Sequence, residues 1–197
     1  MKFKYKNIGI SGVAGCGKNT IANIIIKLLQ RLDLPYRELS IAKNLKQELK
    51  HTSLDLYGID SSHCNREEKD LIRPFLVAHG EVRRKMSSGR HWIDRISNEL
   101  DPDSINIITD VRFDEYEKDE AYWIKNEING VLIHISKYNL SEGKRVFLKP
   151  ANSAEDKNNP RLIKKADFLL NWPHEEDETK QITNCSVLLK WLKKNYV

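Results

Sequence analysis

The sequence predicts an α/β fold in which a parallel sheet of about five strands lies between helices on both faces. Short apolar segments alternate with stretches of helical periodicity, and this alternation is typical of βαβ units. Five segments are strand-like, and they are residues 7–11, 36–40, 105–109, 131–135 and 166–170. Polar residues follow these segments, and ligands of such sheets bind beyond the carboxyl ends of the strands.

In the first half of the chain, amphipathic helices follow each strand. Isoleucine and leucine recur at helical spacing from about Asn19 to Arg31, and a Leu-Pro pair then ends this helix. The same periodicity starts again at Ile41 and stops near Gly58. Asn65 is a suitable N-cap for the next helix, and a further helical segment contains Trp92.

The second half begins with the most strand-like run of the chain, which ends at Asp110. Periodicity predicts a helix from about Asp114 to Asn126, and an apolar strand follows it. Residues 137–160 are polar, and we expect them to be irregular. After the last strand, the pattern predicts one C-terminal helix from Thr179 to Asn195.

Composition favours a single domain over residues 1–197. No apolar run approaches the roughly 18–20 residues of a membrane span, and the basic N-terminus lacks the apolar core of a signal peptide. The three cysteines have no metal-ligand spacing, so we predict a cytoplasmic protein without a membrane partner. The net charge of +5 favours anionic partners, but the basic residues are dispersed among 28 acidic ones. We therefore do not expect a nucleic acid as a binding partner.

The most informative motif follows the first strand and opens the first helix. It combines glycines, which let the backbone wrap around an anion, with a lysine that reaches outer phosphates. Strand, loop and helix in this order are typical of a P-loop, so we predict a P-loop NTPase three-layer sandwich that binds the phosphate chain of a nucleoside triphosphate. The predicted nucleotide-binding residues are Gly12, Val13, Ala14, Gly15, Cys16, Gly17, Lys18, Asn19 and Thr20.

One position of the motif departs from the usual pattern. Asn19 stands where a Ser or Thr usually follows the lysine, and the hydroxyl comes one residue later at Thr20. Mg²⁺ would then be held by Thr20, by waters or by a distant carboxylate. Cys16 lies inside the loop, where it is either a thiol of lowered pKa or a small space-filling side chain.

The catalytic candidates outside the loop are a carboxylate and several arginines. Asp110 ends a buried strand as a Walker-B carboxylate does, and it is a second candidate metal ligand. Arg112 could point into the same crevice, where its guanidinium suits a phosphate. Arg73 belongs to the helical segment before Trp92 together with Arg83 and Arg84, and adjacent helical residues cannot both face the same ligand.

Two further segments are candidates for closing the site. Residues 137–160 contain several cations, and Arg145 is the candidate charge-stabilising finger of a small mobile lid. A solvated basic loop is the alternative for this segment. Trp172 either flanks an adenine ring or packs against the C-terminal helix.

Several blocks resemble those of the deoxynucleoside monophosphate kinases of tailed phages. The blocks are the loop Gly-Val-x-x-x-Gly-Lys-x-Thr, Ile-Ala-Lys-Asn-Leu-Lys at residues 41–46, Arg-Pro-Phe-Leu-Val-Ala-His-Gly at residues 73–80 with the later Trp92, and Thr-Asp-Val-Arg-Phe at residues 109–113. The resemblance covers most of residues 5–172 and thins after Ser136. There, Asn152-Ser-Ala-Glu155 stands where the family has His-x-Ser-Glu.

The resemblance implies transfer of the γ-phosphoryl of ATP to a (deoxy)nucleoside 5′-monophosphate, with Mg²⁺. It implies that Lys18 stabilises the migrating phosphoryl and that Asp110 serves the metal. An acceptor-binding helical region would span about residues 41–100, and a homodimer is one expected form. The residues implied on the acceptor side are Lys46, Arg73, Arg83, Trp92 and Arg112.

Two other functions are compatible with the same motifs. One is a P-loop kinase for another small acceptor, similar to the dephospho-coenzyme A kinases. The other is a nucleotide-dependent switch, although the sequence lacks a guanine-reading Asn-Lys-x-Asp motif.

Overall fold

A computed structural model describes residues 5–194 of the chain. The basic residues 1–4 and the predicted helix end at Asn195 lie outside this range. The strands are β1 (Asn7–Ser11), β2 (Tyr36–Ser40), β3 (Ile105–Val111), β4 (Val131–Ser141), β5 (Lys144–Phe147) and β6 (Phe168–Pro173). The helices are α1 (Lys18–Arg31), α2 (Ile41–Tyr57), α3 (Arg66–Met86), α4 (Arg90–Ser97), α5 (Glu120–Tyr122), α6 (Ser153–Lys165), α7 (Glu178–Asn184) and α8 (Ser186–Lys194). A π-helical turn, Trp123–Glu127, continues α5.

Five of the six strands are parallel, in the order β2–β3–β1–β4–β6. The sixth strand, β5, pairs antiparallel with the last part of β4. After β1 the chain crosses to the β2 edge of the sheet, whereas after β4 it continues to the β6 edge. Where connections leave neighbouring strands in opposite directions, a crevice opens at the carboxyl ends of those strands. The α/β prediction with about five parallel strands is confirmed.

Alternate residues of the central strands enter different cores, so the sheet is buried on both faces. Ile107 and Ile133 face a core that includes α1 and α8. Ile108 and Leu132 face a second core that includes α4, α5 and α6. A third, smaller cluster joins α2 to α3 through Leu49, Ile72 and Leu76. This cluster attaches the helical region of residues 41–97 beside the carboxyl ends of β2 and β3.

Local sequence signals position several of the elements. Gly58 ends α2 in a left-handed conformation, as the sequence predicts. Asn65 and Glu68 form a reciprocal capping box at the start of α3. These two signals fix the bounds of the helices that carry the wall of the site.

Three sequence-based predictions are wrong in detail. Residues 137–160 are not irregular, because β4 continues into a hairpin whose turn residues Glu142 and Gly143 both have left-handed φ angles. The predicted helix of residues 114–126 begins only at Glu120, because the Asp119 carboxylate accepts hydrogen bonds from the amides of Glu115 and Tyr116. The C-terminal helix is interrupted at Cys185, which separates α7 from α8.

Candidate active site

The phosphate loop, residues 12–20, joins β1 to the start of α1. Gly12 has φ 143°, and a Cβ there would lie 2.5 Å from the Ile135 carbonyl oxygen. Gly17 has φ 97°, and a Cβ there would lie 2.2 Å from the Trp172 ring. Only glycine fits either position, so the loop stays tight against the sheet and leads directly into a helix N-terminus. Amides at such a terminus favour an anion.

Lys18 is the first residue of α1, and only 6% of it is exposed. Its Nζ donates to the carbonyl oxygens of Gly12 at 2.8 Å and Val13 at 2.9 Å. Burial lowers the pKa of the ammonium group, and the positive charge of Arg112 adds to that effect. The ammonium thus lies within the loop, held by two of the loop's own carbonyl groups.

Cys16 is fully buried in the core beneath the loop. Burial raises the pKa of its thiol, although Lys18 and Arg112 oppose the effect. The space-filling alternative for Cys16 therefore fits the structure, and a thiol of lowered pKa does not.

Asp110 lies at the carboxyl end of β3, in a left-handed conformation with φ 64°. Its carboxylate accepts hydrogen bonds from the Ser40 hydroxyl at 2.9 Å and from Arg112 Nη2 at 3.2 Å. Burial raises the pKa of Asp110, but the charges of Arg112 and Lys18 and the Ser40 hydroxyl outweigh it, so the pKa lies below its usual value. Asp110 is therefore a carboxylate at neutral pH.

Arg112 connects Asp110 to a second carboxylate that sequence reasoning did not select. Its Nη1 donates to Glu155 in the first turn of α6. The backbone amides of Arg112 and Phe113 both donate to the Glu120 carboxylate, which holds this segment in place. The sequence signal for Glu155 was Asn152-Ser-Ala-Glu155, since the Asn152 side chain caps α6 by accepting from the Glu155 amide at 2.9 Å.

A cavity of about 300 Å³ lies between the phosphate loop and the helical region of residues 41–97. Its apolar wall is formed by Ile41, Leu45, Leu76, Val77, Trp92 and Phe113. The lining also includes Asp110, Asn19 and five cationic residues, which are Lys46, Lys69, Arg73, Arg84 and Arg112. A cavity lined by both apolar and cationic side chains suits a flat molecule that carries a phosphate.

Lys69 is a cavity residue that sequence reasoning missed. Burial lowers the pKa of its ammonium group, and the neighbouring charges of Lys46 and Arg73 lower it further. Among residues 5–194, neither Lys46 nor Lys69 has an ion-pair partner, whereas Arg73 pairs with Asp70. Uncompensated like charges on a cavity wall favour binding of an anion.

The structure also distinguishes Arg83 from Arg84. Arg84 lines the cavity, is 3% exposed and makes a bidentate pair with Asp119 at 3.0 and 2.7 Å. Arg83 instead pairs with Glu48 at 2.6 Å, and 37% of its side chain is exposed. Arg83, which the resemblance places on the acceptor side, is therefore absent from the cavity lining.

Arginine and histidine side chains from two other helices contact the Glu48 carboxylate, and we call this group the Glu48 cluster. His79, His91, Arg83 and Arg95 all contact its carboxylate. Burial raises the pKa of Glu48, but hydrogen bonds from His91, His79 and Arg83 lower it to about 2. The cluster joins α2, α3 and α4 behind the cavity.

Two other candidates lie apart from the cavity. Arg145 lies on the exposed strand β5, with its guanidinium carbon 4.8 Å from the centre of the Tyr138 ring. Trp172 is only 2% exposed, and its Nε1 donates to the Cys16 carbonyl oxygen at 2.9 Å. Trp172 therefore supports the phosphate loop and shares a core with Leu188 and Leu192 of α8. Of its two alternatives, packing against the C-terminal helix fits the structure, and contact with an adenine ring does not.

The oxygen ligands near the loop fit a magnesium ion that is also held by substrate phosphates. Mg²⁺ typically uses one or two carboxylates together with phosphate and water oxygens. Asp110 supplies a carboxylate on the cavity wall, with the Ser40 hydroxyl beside it. Thr20, the other metal candidate, is not among the cavity-lining residues, whereas Asn19 is. Within residues 5–194, no group of three or more His, Cys, Asp or Glu side chains could hold a metal alone.

Comparisons with known proteins do not assign the chain to a family. No family model and no curated protein sequence matches it. A dephospho-CoA kinase from Campylobacter jejuni is similar with 16% identity and a TM-score of 0.37, over 96% of this chain and 98% of that one. A mutant APS kinase from Mycobacterium tuberculosis is similar with 12% identity and a TM-score of 0.41, over 96% of this chain and 99% of that one. Because both TM-scores are low, neither similarity bears on the chemistry of this chain.

No helix in the described part of the chain has the length and apolar character to cross a bilayer.

Proposed function

We propose that the protein transfers the γ-phosphoryl group of ATP to a (deoxy)nucleoside 5′-monophosphate. The observation that carries the proposal is the position of Asp110 and Arg112 between two anion sites. On one side lies the phosphate loop with Lys18, and on the other lies the cavity with its cationic wall. Two anionic substrates that meet at one charged strand end suit a phosphoryl transfer between phosphates.

The cavity supports a small acceptor with a flat ring. Its volume of about 300 Å³ lies at the lower end of the range for small-molecule pockets. Trp92 and Leu76 offer apolar surface to a base, and Lys46, Lys69 and Arg73 offer cations to its 5′-phosphate. The resemblance to the phage-type kinases favours a deoxynucleotide among the possible acceptors.

The roles of the residues follow from how charge moves in the reaction. A phosphoryl group carries its charge on peripheral oxygens as it moves between substrates, so fixed cations on both sides lower the barrier. In the proposed site, Lys18 pairs with the donor phosphates and Arg112 with the group in transfer and the acceptor. Bound Mg²⁺, held by Asp110 and the donor phosphates, would neutralise further charge there. An ionised acceptor phosphate needs no general base.

The β4–β5 hairpin is the proposed lid. The side chain of Leu148, which follows β5, lies close to Gly15 of the phosphate loop. The hairpin also carries the exposed cations Lys144 and Arg145. A hairpin in this position can close over bound phosphates and exclude water, which protects a triphosphate from hydrolysis.

The decisive experiment supplies Mg-ATP with each deoxynucleoside and ribonucleoside monophosphate in turn and follows diphosphate formation. We expect one or a few monophosphates to yield diphosphate and ADP in equal amounts. Turnover with dephospho-coenzyme A alone would favour the other kinase function. ATP consumption that does not respond to any acceptor would contradict a kinase and favour a nucleotide-dependent switch.

A further inference from the structure

The Glu155 carboxylate reaches the phosphate loop from α6. Its Oε2 accepts hydrogen bonds from the Ala14 amide and from the Ala151 amide, both at 3.1 Å. Its Oε1 accepts from Arg112 Nη1. Glu155 is only 5% exposed, so the carboxylate is almost completely enclosed by these donors and the surrounding packing.

Two of these three donors are groups that a phosphate would use. Amide groups of the phosphate loop and a guanidinium beside it bind a carboxylate and a phosphate by the same chemistry. A phosphate that approached Ala14 would also meet the negative charge of Glu155 in a partly buried site, where screening by water is weak. The Glu155 carboxylate and a phosphate cannot accept hydrogen bonds from the same donors at the same time.

We propose that Glu155 is a positioning residue that competes with the terminal phosphate of the donor for the Ala14 amide and Arg112. When the phosphate takes these two donors, Arg112 is directed away from α6 and toward the group in transfer. Competition of this kind would lower the affinity for the triphosphate and couple its binding to the position of Arg112. The inference rests on the proposed function only in requiring that the loop binds ATP, whatever the acceptor.

The anchoring of α6 allows Glu155 to be changed without loss of the helix. Asn158 accepts from the Asp114 amide at 2.8 Å, and Arg161 Nη1 donates to the Asp114 carbonyl oxygen at 3.0 Å. Lys165 pairs with the Asp114 carboxylate at 2.7 Å. These contacts lie further along α6 and do not involve Glu155, so α6 stays docked in a Glu155→Gln variant.

The test measures ATP binding by calorimetry in wild type, Glu155→Gln and Asp156→Asn. Glutamine keeps the size of the side chain and a carbonyl acceptor but removes the competing charge. Asp156 is exposed and lies in the same first turn of α6, so its variant is a control for charge at the helix terminus. We expect Glu155→Gln to bind ATP about five-fold more tightly, because a neutral acceptor holds its donors less strongly than a charged one. Asp156→Asn should bind ATP as the wild type does.

A second measurement replaces ATP with inorganic tripolyphosphate. The tightening should persist, because the competition concerns phosphate and not the nucleoside. Equal or weaker binding of either ligand by Glu155→Gln would overturn the competition while leaving the proposed function intact. Tightening of the same size in Asp156→Asn would overturn it too. If neither wild type nor Glu155→Gln binds ATP, the proposed function and the inference both fail.

Discussion

The phosphate loop and the proposed acceptor cavity are built in different ways, although they meet at Asp110. The loop consists of consecutive residues 12–20, and its shape is set by glycines whose backbone geometry other residues cannot adopt. The cavity combines side chains from α2, α3, α4 and the strand end of β3. The net charge of the cavity lining depends on which of its cationic side chains form an ion pair with a carboxylate and which do not.

This difference shows where sequence information is local and where it is not. A loop made by backbone conformation is visible in a short motif. The charge of a cavity in which some cations are paired and others are not is visible only after every competing ion pair is known. Variants of the two regions should therefore differ in a testable way. Loop variants should change the use of the phosphoryl donor, and cavity variants should change the binding of the acceptor.

The largest effect is expected for Lys18→Ala. The variant removes the ammonium from the phosphate loop, and we expect kcat to fall by about 10³-fold because one preorganised charge is lost where charge develops. Steady-state kinetics with saturating ATP and acceptor would measure it. Lys27→Ala is the control, because Lys27 lies on the same helix and pairs with Glu178 at the surface. Similar losses in both variants would contradict a specific role for Lys18.

A smaller loss, about 10²-fold in kcat/KM for the acceptor, is expected for Arg112→Ala. The guanidinium lies between Asp110 and Glu155, so its removal also leaves two carboxylates without their shared partner. Thermal melting should be measured together with the kinetics to separate stability from activity. If acceptor KM and kcat are both unchanged, Arg112 does not act in the crevice.

The sequence predicted most of the fold because the signals for its elements are local. The bounds of β1 and β2 match the structure, and so do the cap at Asn65 and the stop at Gly58. Residues 114–119 were mispredicted because a single carboxylate, Asp119, binds backbone amides that a helix would otherwise use. Periodicity does not report such a tertiary interaction.

The candidate site was predicted less completely, because sequence does not reveal which charges are paired. Arg83 and Arg84 are equivalent in the sequence, and their different roles depend on Glu48 and Asp119 in distant segments. Lys69 looks like any solvated lysine on a helix until α2 and α3 are packed together. Glu155 comes close to the loop only because α6 docks against the segment after β3.

A third test concerns Lys69, which was absent from the sequence-based set. We expect Lys69→Gln to raise acceptor KM by about ten-fold with little change in the KM for ATP, because one charge-assisted contact to the acceptor phosphate is lost. Lys85→Gln, at the exposed end of the same helix, is the matched control. An equal change in both variants, or a change in the KM for ATP, would contradict the role of Lys69.

The pH dependence of acceptor binding sharpens this test. The pKa of Lys69 is below that of an ordinary lysine, so its charge is present at lower pH and is lost as the pH rises through that lowered value. Acceptor KM in the wild type should therefore rise with pH before an ordinary lysine loses its charge. Lys69→Arg should keep the charge and flatten this rise. A rise of equal size in Lys69→Arg would assign it to another group.

The smallest effect is expected for Arg83→Ala, and it separates the sequence-based site from the structural one. The resemblance places Arg83 on the acceptor phosphate, whereas the structure pairs it with Glu48 and leaves it half-exposed. Because Arg95, His79 and His91 remain on Glu48, we expect a stability loss of about 0–1 kcal/mol and an acceptor KM within about two-fold of wild type. Arg95→Ala, which removes another partner of the same carboxylate, should give the same result in melting and kinetics. The contrary result is a rise in acceptor KM that occurs in Arg83→Ala alone and is as large as the rise in Lys69→Gln. This result would show that Arg83 binds the acceptor, and the Arg83 side chain would then have to leave Glu48 when the acceptor binds.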